Sequence, residues 1–255
     1  MTASRTPRRR TVIVAAMAEE LLGLEHALED RRTVRRAGRD FHLGRLQGHE
    51  VVLVLCGIGK VAAATTGTLL AGEFEAARIV FTGVAGGLGE DVRVGDVVVA
   101  HALLQHDMDA SPLFPRFEVP LIGRARFETD ARLVEAAHRA AEDCLREESG
   151  GAISGAGRPA RVHRGLIISG DRFVSRREES AALSALLPDA LAVEMEGAAL
   201  AQVCHDFAIP LVVVRAISDD ADDGAPVSFV DFVRETAARL SQGVVKRLLG
   251  ALPPA

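Results

Sequence analysis

Tryptophan and tyrosine are missing from this 255-residue sequence, and phenylalanine supplies all of its aromatic content, 4%. Basic residues form no stripe interleaved with aromatics, and the formal net charge is -5. Neither feature draws the chain to nucleic acid or to an anionic membrane, so a small molecule is the expected partner. Cysteine is scarce as well. Cys56, Cys144 and Cys204 are odd in number, widely spaced and without a CxxC pair or a metal-type spacing with histidine. That excludes a disulfide framework and points to a reducing compartment, the cytoplasm. No run approaches the roughly 20 apolar residues that a membrane helix needs. The basic start, Arg8-Arg9-Arg10, precedes an apolar run at 11–17 that is short and soon meets Glu19-Glu20. It lacks the longer apolar core of a secretory leader, and residues 1–10 are expected to be a flexible tail.

What is present is ample apolar material, 48% of residues, enough for one large core. Runs of Val, Ile and Leu recur at 11–16, 51–55, 78–82, 96–100, 164–169 and 210–217. Several are apolar at successive positions, as strands covered on both faces require. Helical patterns lie between them at 18–29, 60–71, 130–146, 180–186, 198–207 and 228–249. This alternation predicts a single α/β domain over 11–250, with a twisted, largely parallel sheet sandwiched between helices. The segment 148–160 has the composition of a surface loop. Pro112, Pro115 and Pro120 forbid a regular helix or central strand over 105–123, while Leu113, Phe114 and Phe117 make that loop apolar. Such a loop commonly covers a pocket or a partner subunit.

Two glycine clusters follow strands, Cys56-Gly57-Ile58-Gly59-Lys60 and Thr82-Gly83-Val84-Ala85-Gly86-Gly87. The first departs from the dinucleotide fingerprint because the next strand ends in Phe81-Thr82-Gly83, with no acid for a ribose. Read as turns at neighbouring strand ends, the two suggest one shared pocket. Acids fall at the same rim: Glu20 after the first strand, Glu194 and Glu196 after 190–193, and Asp219 after 210–218. If Glu194-Met195-Glu196 is extended, both carboxylates point to one side. Several carboxyl groups in a partly dry pocket suit cleavage of a glycosidic bond, in which one protonates the leaving group and another activates water. His106 beside Asp107 and Asp109 has no second histidine at ligand spacing, and Cys204-His205 reads as a core thiol beside a surface imidazole.

Taken in order, Ala16-Met17-Ala18-Glu19-Glu20, Gly57-Ile58-Gly59-Lys60, Thr82-Gly83-Val84-Ala85-Gly86-Gly87, Val94-Gly95-Asp96, Ser169-Gly170-Asp171-Arg172-Phe173, Val193-Glu194-Met195-Glu196-Gly197 and Val214-Arg215-Ala216-Ile217-Ser218-Asp219 resemble the 5′-methylthioadenosine/S-adenosylhomocysteine nucleosidases of the nucleoside phosphorylase superfamily. The resemblance covers nearly all of 11–249. It implies a three-layer α/β/α sandwich around a mixed, largely parallel sheet, no cofactor, no metal, and a homodimer in which the loop 105–120 lies near the neighbouring active site. It implies Asp219 as the acid that protonates adenine at N7 and Glu20 as the group that positions water. Glu196 would hold the ribose hydroxyls, Met195 would lie against the sugar, and Arg215 near the water and Glu196. Phe173 would stack on adenine, the Val174 backbone would read the base edge, and Ser218 would support Asp219. Ile58 and Phe229 would line the 5′-thio pocket, with Met17, Val84, Ala85 and Gly86 also touching substrate. Val84 stands where the family often has serine. A phosphorylase using Arg45 and Arg172 for phosphate, and a hydrolase of a futalosine-type nucleoside, are the alternatives.

Overall fold

The computed structural model describes residues 10–148 and 158–255. The N-terminal tail and most of the loop expected at 148–160 lie outside the described residues. The chain opens with β1 (Arg10–Ala15) and α1 (Ala18–His26), followed by β2 (Glu29–Arg36), β3 (Arg39–Leu46) and β4 (His49–Leu55). Helix α2 (Lys60–Gly72) leads into the long β5 (Ala76–Gly87), then β6 (Val97–Gln105), β7 (Arg126–Glu128), α3 (Ala131–Glu148) and β8 (Val162–Ser169). The remainder is α4 (Arg177–Leu186), β9 (Ala190–Glu194), α5 (Gly197–Asp206), β10 (Leu211–Asp219), α6 (Ala225–Phe232) and α7 (Ala238–Ala251).

The successive apolar residues Val12–Ala15 of β1 and Leu211–Val214 of β10 match the burial of these strands along nearly their whole length. A central parallel strand is covered on both faces and has no use for polar alternation. Parallel pairings set β1 between β4 and β5, β10 beside β5, and β8 between β6 and β9. Antiparallel pairings add β3 and β2 at one edge and join β10 to β6 and β5 to β9. The sheet is therefore mixed. It also curls: β5, β10, β6, β8 and β9 form a closed ring, from which β1, β4, β3 and β2 extend as a wing. Helices α2 and α5 pack together over one face, and α1, α3 and α7 over the other.

Two stretches differ from the sequence expectation. Helix α1 stops at His26, and 29–46, for which no element was expected, forms β2 and β3. Strand β2 is exposed at every position but Val34, so its run of charges meets solvent on both faces and shows no period of two. Its turns are written at Ala37-Gly38 and Gln47-Gly48, all at positive φ, as tight two-residue hairpins demand. The long last helix starts earlier, at Ala225, and is interrupted by a π-helical turn at Val233–Ala237.

Candidate active site

Glycine sets how closely the acids approach the sheet. The stretch 83–87 is not a turn: it is the second half of β5, extended, whose first half pairs with β1 and whose end pairs with β9. A Cβ on Gly83 would stand 2.9 Å from Glu20 Oε1, and one on Gly86 2.9 Å from Asp219 Oδ1. Any side chain at either position would push a carboxyl away.

Glu20 lies in the first turn of α1 and is 2% exposed. Its Oε2 accepts the N–H groups of Ala16 at 3.0 Å and Met17 at 2.9 Å, and its Oε1 that of Val84 at 3.1 Å. Burial pushes its pKa up, against the pull of the Arg215 guanidinium and these three N–H groups. Asp219 ends β10. The Ser218 hydroxyl donates to its Oδ2 at 2.8 Å and the Ala221 N–H to its Oδ1 at 2.9 Å. Burial raises this pKa too, the two hydrogen bonds oppose the rise, and the charges of Asp220 and Asp222 add to it.

Glu194 and Glu196 do not form an extended same-side pair. Strand β9 ends at Glu194, and the chain turns so that Glu196, at φ -133° and ψ -40°, precedes the first turn of α5. Glu194 folds back onto that turn, accepting the N–H of Gly197 at 2.8 Å, the Ser169 hydroxyl, and Arg215 Nη2 at 2.6 Å. Glu196 Oε1 accepts the N–H of Gly59 at 2.8 Å. That donor is aimed by the Gly57-Ile58-Gly59 turn, whose glycines sit at φ 80° and 95°. Burial, reinforced by the neighbouring Glu194 charge, lifts Glu196 to about 7. Arg215 is 1% exposed and lies over the Phe81 ring, 4.1 Å from its centroid. Its ion-pair partner is Glu194, and it stays within electrostatic reach of Glu20 and Glu196.

These groups bound a cavity of about 370 Å³. Of the site residues expected from sequence, Met17, Glu20, Ile58, Val84, Ala85, Gly86, Phe173, Met195, Glu196, Ser218, Asp219 and Phe229 line it. Ala16, Val193 and Glu194 join them. Val174 and Arg215 do not line it: Val174 packs into the core beside Leu166 and Ile168, and Arg215 lies behind the acids. The rings of Phe173 and Phe229 meet edge to face with centroids 5.6 Å apart. Glu194 was visible in the sequence as a rim acid, but its pairing with Arg215 is made across the fold and leaves no local signal. Arg45 pairs with Asp30 on the edge hairpin and Arg172 with Glu179, and neither lines the cavity. Among the described residues no group of three or more His, Cys, Asp or Glu side chains is arranged to hold a metal ion. Nor, among them, is any helix long and apolar enough to cross a membrane.

A ring-and-wing sheet with buried carboxyls gathered at the ends of β1, β9 and β10 defines an α/β enzyme with a small-molecule pocket. The chain belongs to the phosphorylase superfamily, whose family model matches residues 10–250. It is similar to the 5′-methylthioadenosine/S-adenosylhomocysteine nucleosidase of Neisseria meningitidis, solved with methylthio-immucillin-A, at 38% identity and a TM-score of 0.85, covering 95% of this chain and 99% of that one. The corresponding nucleosidase of Colwellia psychrerythraea, in complex with adenine, matches at 36% identity and a TM-score of 0.85 over 96% of each chain. The futalosine hydrolase of Helicobacter pylori matches at 32% identity and a TM-score of 0.83, over 96% of this chain and 99% of that one. Within the superfamily, the chain belongs with the 5′-methylthioadenosine/S-adenosylhomocysteine nucleosidases.

Proposed function

We propose that this chain hydrolyses the N-glycosidic bond of 5′-methylthioadenosine, S-adenosylhomocysteine or both, releasing adenine and the 5-thioribose product. The observation that carries the reading is the charge balance of the cavity. No Lys or Arg is among the residues that line it, and the guanidinium behind Glu20, Glu194, Glu196 and Asp219 is already paired with Glu194. Such a site offers phosphate no cation and favours water as the nucleophile.

In this reading Asp219, whose neutral form burial favours, gives its proton to N7 as the C1′–N9 electron pair leaves with adenine. Glu20 takes a proton from the water whose oxygen bonds to C1′. Its two oxygens are pinned by backbone N–H groups, so the base is oriented before substrate arrives. Negative charge on Glu20 and Glu194 favours the oxocarbenium character that develops on the sugar. Glu196 holds the ribose hydroxyls beside Met195, and Arg215 keeps Glu194 in place behind them. Phe173 stacks on adenine and the Val174 backbone reads the base edge. Ile58 and Phe229 bound the 5′-thio group. Residues 11–250 act as one domain in a cytoplasmic homodimer, with the loop 105–120 completing the partner's site.

The test is adenine release from 5′-methylthioadenosine in phosphate-free buffer. Rapid release with free methylthioribose is the expected result; release only on addition of phosphate identifies a phosphorylase instead. The similarity to the futalosine hydrolase supports a second reading, hydrolysis of a futalosine-type nucleoside. Offering that substrate in the same assay separates the two.

A further inference from the structure

Beside the acid-lined cavity, three segments meet at a second polar junction. Asp107, at the start of the 105–123 loop, accepts Lys60 Nζ at 2.6 Å through Oδ1 and the N–H of Asp171 at 3.0 Å through Oδ2. Asp171 Oδ1 in turn accepts the N–H of Lys60 at 2.8 Å. One carboxylate thereby ties the start of α2 to the loops that follow β6 and β8. Both of its partners adjoin the cavity wall. Gly59, immediately before Lys60, donates its N–H to Glu196, and Phe173 stands two residues beyond Asp171. The junction is tightly fitted: a Cβ on Gly59 would lie 3.1 Å from Asp171 Oδ1, and one on Gly170 2.3 Å from His106 Nε2. Lys60 and Asp107 are 16% and 34% exposed, so their ion pair is partly withdrawn from solvent.

We infer that Asp107 is a positioning residue for the reaction: together with Lys60 it holds the Gly59 N–H on Glu196 and the Phe173 loop against the cavity. Asp107 does not line the cavity itself and acts through these two neighbours. The inference rests on the nucleosidase reading, in which Glu196 holds the ribose and Phe173 stacks on adenine. Both contacts are made alike in the ground state and the transition state, so loosening them raises KM and leaves kcat nearly untouched.

Steady-state kinetics on 5′-methylthioadenosine test this. Asp107→Ala is expected to raise KM about tenfold, the loss of a hydrogen bond to a charged group, with kcat changed by less than about threefold. Lys60→Met should reproduce the rise and Lys60→Arg should largely rescue it. In a Glu196→Gln background, Asp107→Ala should raise KM by clearly less than it does alone, because the two act on one contact. An unmoved KM in both Asp107→Ala and Lys60→Met overturns the inference, as does a fall in kcat and Tm together with KM unchanged. Calorimetric titration with a non-hydrolysable 5′-methylthio C-nucleoside repeats the comparison without turnover. A wild type that binds this probe but releases no adenine removes the hydrolase reading alone; the inference then stands or falls on whether Asp107→Ala weakens binding by the same factor.

Discussion

In the proposed reaction a proton waits on Asp219, and its surroundings favour that. Burial favours the neutral carboxyl while the Ser218 hydroxyl, donating to Oδ2, pulls the other way. Asp219→Asn keeps the shape and removes the acid, so adenine release should fall by about a hundredfold or more while the Tm stays near that of the wild type. Ser218→Ala tests the tuning. Removing a donor that stabilises the carboxylate raises the pKa of Asp219, so the alkaline limb of kcat/KM should move to higher pH; a limb that stays in place would show that another group sets it. Gly86 offers a steric check on the same carboxyl. A Cβ there meets Asp219 Oδ1 at 2.9 Å and the Ala221 side chain at 3.0 Å. Gly86→Ala should therefore lower kcat by about tenfold or more, since small misplacement of a reacting group is costly.

Among the elements, one residue ties the start of β6 to the start of β8 and the segment before it. Asp96, fully buried, accepts Arg158 Nη2 at 2.7 Å, His163 Nε2 at 2.8 Å and the N–H groups of Arg161 at 2.8 Å and Arg93 at 3.1 Å. Burial alone would raise its pKa; the bonds from His163, Arg158 and the backbone more than reverse this and hold it well below the usual carboxylate range. A folded pKa below the unfolded one means that the stabilisation is present above about pH 4 and is lost as pH falls below it. Asp96→Asn should cost about 2–4 kcal/mol in urea unfolding at neutral pH, and the gap to wild type should narrow on acidification. Helix ends show how local packing overrides pattern. The apolar spacing of 228–249 reads as one helix, yet the backbone widens to a π turn at Val233–Ala237, where Val233 and Ala237 are buried against the core.

On the whole molecule, apolar side chains stand in the open: Ile58, at the cavity, is 61% exposed, Val61 78%, Leu113 85% and Leu121 93%. Leu113 and Leu121 come from the proline-bearing loop, and Val61 from the first turn of α2. The proposed homodimer would bury such a surface, and the proposed sharing of a loop between sites would make activity depend on assembly. Light scattering should give twice the chain mass, and Leu113→Asp should shift the protein toward monomer while raising KM. A monomer with full activity would remove the shared site.

Taken alone, the sequence determined the class of the fold and the rim acids through local pattern, and most of the cavity lining through the resemblance of its ordered motifs to a known family. Apolar runs such as 210–217 must be buried strands, and an acid placed just after one arrives at the sheet's rim, as Asp219 does. Strand β2 escaped that reading because an edge strand wet on both faces has no apolar period, leaving only the Gly38 turn that joins it to β3 as a clue. Tertiary structure alone decided the ring, since closing β5 onto β9 and β10 onto β6 pairs strands far apart in the chain. It alone decided that 83–87 runs on as a strand, that Glu194 and not Glu196 takes Arg215, and that Gly59 hands its N–H to Glu196. Hydrogen bonds and ion pairs between distant residues depend on distances of a few ångströms that only the packed sheet sets.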